Sequence, residues 1–539
     1  MGSHKFNVSN LSQLPPRLFN QTRAVSHKRA FRAVNSLRQQ HLPTTDDERS
    51  NQLTALIIQT IKAHGPLTIP RYHTLCQQHP TLGYYTRSPQ IVSCTIDPNS
   101  SIIGSQGDFI TSPEISQTFG EILAIFFLSQ YEAQGLPNRV RIVELGPGKG
   151  TLLSDMLRTF STHARFRAAL TNGGKIHLVE TSRGMRQLQA EKIRSFMGSG
   201  DSTVVQNAQG SSVGEQIVSV KKFENPSGMW CEAEWFDRVD GLPIEEDTFN
   251  IVVAHEFFDA LPMHTFERTS RGFRELLVDL ARSPLDPSMP HPTSSTKMTS
   301  QRPNHVSDPF RFVLSTNITP ASALYTSDLP FNSVVADLPQ PSADLPIMDP
   351  IPQLPTMLGS RIEFSPDSFI AAQHVSKLVA KSGAALLIDY GKDGISGDSY
   401  RGFRNHEIVS PLSTPGLTDL TSNVDFSLLR RAAASVSASE SNPLHVPQLL
   451  SQRSFLLHMG IAMRLSVLLR SINMGSTAED HKKARAQADN MCGAVERLID
   501  DAPTVGMGIL YKVLAVVPGK GDGKVAVWPF SEGEVPQIQ

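Results

Sequence analysis

The residues whose types and spacing suit chemistry fall in two stretches of this 539-residue chain. The first, Val143–Leu153, reads Val-Glu-Leu-Gly-Pro-Gly-Lys-Gly-Thr-Leu-Leu. A β-prone run enters it and a helical segment leaves it. Such a turn presents strand-end amides and a helix N-terminus to a ligand, and Gly146, Gly148 and Gly150 keep Cβ atoms out of the way. Glu144 is the acceptor at its entrance. The spacing is G-x-G-x-G after an acid, whereas a dinucleotide fingerprint requires G-x-G-x-x-G, which argues against a nicotinamide-dependent dehydrogenase. The second stretch is His255-Glu256-Phe257-Phe258-Asp259. A helix beginning after 256 would set Glu256 and Asp259 on one face, where two carboxylates accept in parallel from a planar guanidinium. The same spacing equally suits a plain helix start with acids in the first turn and aromatics in the core. His255 has the chemistry of a base, although a single His at a strand end is more often a structural, hydrogen-bonded residue. There is no H-E-x-x-H zinc signature, since position 259 is Asp, and no metal is expected.

Positioning these groups takes an α/β frame. From residue 140 onward β-prone and helical segments alternate, which predicts a mostly parallel, doubly wound sheet. Strands are expected at Val140–Leu145, Lys175–Val179, Gly228–Trp235, Asn250–Ala254 and Ala384–Ile388, with a helix over 151–169 and a reversed terminal strand at Met507–Val517. Ligands of such sheets lie beyond the carboxyl ends of the strands. Glu144, Glu180, Glu256 with Asp259, and Asp389 all fall there. Glu180 follows Gly150 by more than the customary ~20 residues, so the intervening helix is long or its loop irregular. Upstream, Leu53, Leu56, Ile57, Ile58 and Ile61 form a helical stripe closed by Gly65-Pro66, and 68–78 follows as a short helix. Tyr84 and Tyr85 line a groove or pack at a turn. Ser112 is expected to cap a helix carrying Phe119, Ile122, Leu123, Phe126 and Phe127, with Gly107-Asp108 near the ligand.

Composition narrows the function classes. A formal net charge of −1 gives no polyanion-binding footprint, so no nucleic-acid partner is expected. The four cysteines, at 76, 94, 231 and 492, are too scattered for a metal knuckle or redox pair. Apolar runs such as Ile122–Leu128 fall well short of the ~20 residues of a membrane span, so no transmembrane segment is expected. Residues 1–45 contain no Asp or Glu but several Arg and Lys, the composition of a mitochondrial transit peptide or of a basic disordered tail. The expected organisation is a leader over 1–45, an N-terminal helical region over the site at 46–139, and a core split into 140–283 and 356–520. The second core part carries a helical substrate-side insertion. Between them lies a Pro/Ser-rich disordered insertion at 284–355; 195–225 is a lesser insertion and 521–539 a tail.

Val143-Glu-Leu-Gly-Pro-Gly-Lys-Gly150 resembles motif I of class I S-adenosylmethionine-dependent methyltransferases, whose Rossmann-like sheet has one reversed strand. With Gly107-Asp-Phe-Ile-Thr-Ser-Pro-Glu-Ile-Ser116, His177-Leu-Val-Glu180, Ala254-His-Glu-Phe-Phe-Asp-Ala-Leu-Pro262, Asp389-Tyr-Gly391, Arg401-Gly-Phe403 and Val424-Asp-Phe426, the chain resembles the MidA family of mitochondrial methyltransferases. Animal members of that family are the complex I assembly factor 7 protein-arginine methyltransferases. The resemblance implies S-adenosylmethionine as methyl donor, bound by Glu144, Gly146, Gly148, Gly150 and Glu180, with Asp237 near the adenine. It implies that Glu256 and Asp259 orient a substrate guanidinium, and that Arg401 and Phe403 line the substrate side. It further implies symmetric dimethylation of an arginine on the 49-kDa core subunit of respiratory complex I, in the mitochondrial matrix. Position 149 is Lys where the family usually has Arg; both are cations, but a bidentate contact is lost. A methyltransferase-shaped assembly chaperone without turnover is the competing class.

Overall fold

The computed structural model describes residues 45–86, 91–92, 95–96, 110–197, 204–206, 219–224, 230–281, 308–326, 355–437, 443–473, 477–502, 506–519 and 527–530. Residues 1–44 of the expected leader (1–45), Gly107-Asp108 and much of 284–355 lie outside them. Helices Asp46–His64 (α1) and Ile69–Gln78 (α2) open the chain, followed by Gln117–Ala133 (α3). Six strands carry the site: Val140–Leu145 (β1), Lys175–Val179 (β2), Trp230–Phe236 (β3), Phe249–His255 (β4), Gly383–Lys392 (β5) and Tyr511–Pro518 (β6). Every residue of β1 and of β4 is buried, as expected of parallel strands covered on both faces.

The strand order is β6-β5-β4-β1-β2-β3, with β5 through β3 mutually parallel and β6 antiparallel to β5. Between β4 and β1 the winding reverses, and such switch points open a crevice at the strands' carboxyl ends. The reversed strand is therefore present at the β6 edge, where Leu444–His445 and Leu450–Ser451 add to it. At the other edge the 195–225 stretch, expected only as an insertion, extends the sheet with antiparallel Ser219–Glu224 and Val204–Gln206. One face is covered by α3 and by Thr151–Thr162 (α4), through Phe119, Ile122, Phe126, Leu153 and Met156. The other is covered by Pro366–Val379 and Phe426–Ser437, through Val375, Leu378, Leu429 and Val436.

A second, antiparallel sheet is built mainly from the segment between β4 and β5, with one strand from the N-terminal region. Leu67–Thr68, Gly272–Leu280, His264–Thr269 and Arg361–Phe364 form its path, and Phe310–Leu314 pairs with Gly272–Leu280. Leu53, Ile57 and Ile61 of α1 and Tyr72 of α2 pack with its Leu276, Val278 and Phe310. Within the 284–355 stretch, the Arg311–Leu314 run, which reads as a strand rejoining the fold, is part of strand Phe310–Leu314, and a short helix follows at Pro320–Tyr325, whose Thr319 accepts from the Ser322 amide at 3.0 Å.

Several local expectations are corrected. The helix expected over 151–169 breaks at His163, whose Nδ1 accepts from the Phe166 amide (3.1 Å) and restarts a helix at Ala164–Thr171. That extra helix accounts for the long interval before Glu180. Ser112 is not a cap: Thr111 precedes a one-turn helix at Ser112–Ile115, and Ser116 caps α3 by accepting from Thr118 N at 3.3 Å. Met507–Leu510 is helical, and only from Tyr511 does the chain become β6.

Candidate active site

A cavity of about 440 Å³ opens at the carboxyl ends of β1, β2 and β4, a size ordinary for a small-molecule site. Glu144, Gly146, Gly148, Glu180, Asp237 and Glu256 all line it. Gly146, Gly148 and Gly150 all have positive φ (64°, 52° and 77°). A Cβ on Gly146 would meet the Phe257 ring at 3.2 Å in a backbone region that side chains disfavour, so a larger residue here would distort the turn. Gly150 is not in the wall; it stands behind the turn as the N-cap of α4. The Glu144 carboxyl is buried, and burial pushes its pKa up to about 8. Its Oε2 has no hydrogen-bond partner among the described residues. An acceptor of that kind at a cavity wall suits a ligand that brings its own donor. Among the described residues no cluster of His, Cys, Asp and Glu is arranged to hold a metal.

Glu180 leaves β2 half-buried. Its carboxylate accepts from Ser182 N (2.7 Å) and from Gln189 Nε2 (3.2 Å), which oppose the rise in pKa that burial imposes. Asp237, just past β3, receives Arg186 at 2.5 Å, and the same guanidinium donates to the Glu180 carbonyl at 2.7 Å. Gln189 itself went unnoticed in the sequence. It sits on Arg183–Met197, donates to Gly148 O (2.7 Å) as well as to Glu180, and accepts from Trp235 Nε1 (2.8 Å). One amide therefore ties the glycine turn to β2 and β3. Gln189→Leu strands a buried indole N–H and frees the turn, a cost of roughly 1–3 kcal/mol in partners left unpaired. The expected result is about tenfold weaker binding of S-adenosylhomocysteine by calorimetry; unchanged affinity would show that the turn holds its shape without this residue.

The acid pair is arranged otherwise than its spacing suggested. Residues 256–261 form turns rather than a helix: Glu256 has φ of 50°, its amide donates to Ile388 O (3.0 Å), and Leu261 N donates to Phe258 O (3.2 Å). Glu256 and Asp259 therefore do not share a helix face. Glu256 lines the cavity, with Tyr511 and the Ser112 amide as hydrogen-bond partners. Burial first, and then the charge of Asp259, raise its pKa to about 8. Asp259 is buried and absent from the wall, bonded to the Tyr390 hydroxyl and to Thr421 Oγ1 (2.8 Å). Asp389, within β5 on the neighbouring strand, accepts from the amides of Phe258 (3.0 Å), Asp259 (3.2 Å) and Tyr390 (2.9 Å). Those bonds hold the segment in its turn conformation. A left-handed non-glycine residue at a cavity wall is strain of the kind that functional sites retain.

His255 also lines the cavity, edge-on to Phe119 with ring centroids 5.0 Å apart, and burial lowers its pKa to about 3. So strong a depression leaves it neutral at physiological pH and a poor proton acceptor. Arg401 and Phe403 are not among the lining residues. The Arg401 guanidinium lies over the Tyr390 ring (4.9 Å) and the Phe403 ring (5.5 Å), donating to Ser399 O (2.8 Å) and Asn423 Oδ1 (2.9 Å). Its charge favours ionised Asp259. Of the two adjacent tyrosines, Tyr84 is fully buried, whereas Tyr85 lines the cavity with its hydroxyl on Asp419 (2.9 Å).

Comparison with known proteins fits this geometry. A family described as "Putative S-adenosyl-L-methionine-dependent methyltransferase" matches residues 122–443. The mouse protein named "Protein arginine methyltransferase NDUFAF7, mitochondrial" is 34% identical over 424 residues, covering 78% of this chain and 77% of the relative. Its human counterpart is 33% identical (78% and 76% covered), and the Drosophila melanogaster homologue 30% (87% and 85%). In fold, the chain matches a Burkholderia thailandensis protein crystallised with S-adenosyl-homocysteine, with a TM-score of 0.56 at 20% identity, covering 88% of this chain and 95% of that one. The family match spans more than half of the chain and the relatives are alike over most of their length, so the chain belongs to this family of S-adenosylmethionine-dependent methyltransferases.

Proposed function

We propose that this protein methylates the guanidinium of an arginine in a protein substrate, that the substrate is the 49-kDa core subunit of respiratory complex I during assembly in the mitochondrial matrix, and that the product is symmetrically dimethylated. Support comes from the relatives' name, protein arginine methyltransferase, mitochondrial, and from the acid-free, Arg-containing N-terminal sequence. The observation that carries the reading is Glu256, held left-handed at the cavity wall next to the glycine turn, with the hydrogen-bonded Asp259 close enough to act on its charge.

S-adenosylmethionine supplies an electrophilic methyl on a cationic sulfur. Glu144, Glu180 and Asp237 offer acceptors for its polar groups, and the turn at 146–148 admits it closely. Glu256 accepts from the guanidinium, fixing its rotation and directing one terminal nitrogen at the methyl carbon. Transfer would replace the methyl's bond to sulfur by one to nitrogen, leaving a neutral thioether; an arginine with a pKa above ~12 keeps its proton until the attacking nitrogen, drawn out of guanidinium delocalisation, becomes acidic. Glu256 takes that proton, and its raised pKa suits the role of a base working near neutrality. Intact-mass analysis of the 49-kDa subunit from cells with and without this protein tests the reading. A mass difference of two methyl groups on one arginine is expected; identical masses would refute it.

A further inference from the structure

We infer that Glu363, on the inserted antiparallel sheet, is a positioning residue for methyl transfer: it splints the 396–401 loop and so fixes Arg401 over Tyr390, behind Asp259. The inference rests on the reading above, that Glu256 and Asp259 serve the transfer.

Each link is a short contact. Glu363 lies on Arg361–Phe364, opposite Thr265, and is 8% exposed. Its Oε1 accepts from Ser399 N (2.8 Å) and Tyr400 N (3.2 Å), and its Oε2 from the Ser399 hydroxyl. Ser399 Oγ in turn accepts from Asn423 N (2.8 Å). Ser399 O and Asn423 Oδ1 are the two acceptors of Arg401 Nη1, so Glu363 orients both supports of the guanidinium through one serine. Arg401 covers the Tyr390 ring, and the Tyr390 hydroxyl bonds Asp259. The loop also lies tight against the strand that bears Glu363. Glu363 N donates to Ser396 O at 2.7 Å, and a Cβ on Gly397 would fall 2.2 Å from Arg361 O.

This arrangement has a chemical purpose. Glu256, Asp259, Asp389 and Asp419 gather in one region with Tyr85 and Tyr390, and Arg401 is the cation whose charge favours ionised Asp259. An arginine free to swing away would leave the carboxylates to share protons instead of presenting charge to the substrate. A buried carboxylate that accepts three donors is a rigid anchor for a loop, and rigid support of the groups that touch substrate is what accurate positioning requires. Glu363 does this without reaching the cavity.

The test uses the full chain with Glu363→Ala, Glu363→Asp and Arg401→Ala, plus the Glu363→Ala/Arg401→Ala double variant. Hydrogen exchange comes first, because it reads the splint without any activity. Glu363→Ala is expected to accelerate exchange at the Ser399, Tyr400 and Asn423 amides at least tenfold while amides of the glycine turn keep their protection. Unchanged protection at these amides overturns the inference whether or not the protein methylates arginine. With the methylated subunit as readout, Glu363→Ala is expected to lower kcat at least tenfold, to leave KM for S-adenosylmethionine within about twofold, and to move the acid limb of the pH–rate profile upward. Glu363→Asp should restore part of the loss, and adding Glu363→Ala to Arg401→Ala should cost little more. Equal losses in both backgrounds, or an unmoved pH profile, would reduce Glu363 to a folding role and overturn the proposal. Wild-type protein inert on arginine but with the exchange result intact would count against the arginine reading and not against the splint.

Discussion

Glu256→Gln is expected to lower the rate of methyl transfer by about 10²–10⁴-fold, the usual contribution of a positioned acid–base group. Affinity for S-adenosylhomocysteine should stay within about threefold. The amide keeps the shape of the carboxylate, so the turn and its bond to the Ile388 carbonyl survive. What goes is the negative charge facing a guanidinium and a site for the departing proton. Glutamine can accept one hydrogen bond from the substrate but cannot hold the proton, so the loss should fall on kcat more than on KM. Methyl transfer by this variant within tenfold of wild type would remove Glu256 from the chemistry. Full assembly of complex I by the inactive variant would show that binding alone suffices, which is the scaffold function.

Glu144→Gln should act on the cofactor. Its carboxyl is protonated near neutrality because burial raises its pKa to about 8, and its Oε2 has no donor among the described residues. A ligand bringing cationic or hydroxyl donors binds the ionised form better, so binding releases a proton below pH 8. For wild type, affinity for S-adenosylmethionine should therefore rise by up to about tenfold per pH unit between pH 6 and 8 and then level off. Glu144→Gln should bind about 10–100-fold more weakly at pH 8 and lose most of this slope. Calorimetry in two buffers of different ionisation enthalpy counts the protons, and equal proton release by wild type and variant would contradict the assignment.

The same carboxyl leaves a mark on stability, with a definite sign. Its folded-state pKa, about 8, lies above the unfolded value near 4.5. The folded protein thus holds an extra proton between those values. The resulting stabilisation is complete below pH ~4.5 and is lost as pH rises through about 8. Glu144→Gln should leave the melting temperature nearly unchanged at pH 5 and raise it relative to wild type at pH 9. Parallel melting curves across that range would mean that Glu144 ionises freely in the fold.

Much of the site was legible because its parts are contiguous. Strand, acid, glycine turn and helix follow one another between Val140 and Thr162, and the steric need for positive φ at Gly146 is a local fact that the sequence displays. The strands likewise announced themselves, since those buried on both faces must be apolar throughout. The conformation after Glu256 was not legible. Helix and turn suit Glu-Phe-Phe-Asp equally, and the turn prevails because Asp389, on the neighbouring strand, takes the amides of Phe258 and Asp259.

By itself, then, the amino-acid sequence determined which residues end each parallel strand and hence which acids stand near the crevice. Periodicity and glycine sterics act within a few residues of one another, so a linear reading captures them. Tertiary structure alone decided that Glu256 faces the cavity while Asp259 turns to Tyr390 and Thr421, that Arg401 sits behind the pair rather than in the cleft wall, and that Gln189 ties the glycine turn to two strands. Those partners lie up to 162 positions apart in the chain. Hydrogen-bond satisfaction of buried polar groups pairs them, and it operates on distances in space that exist only after the sheets have closed.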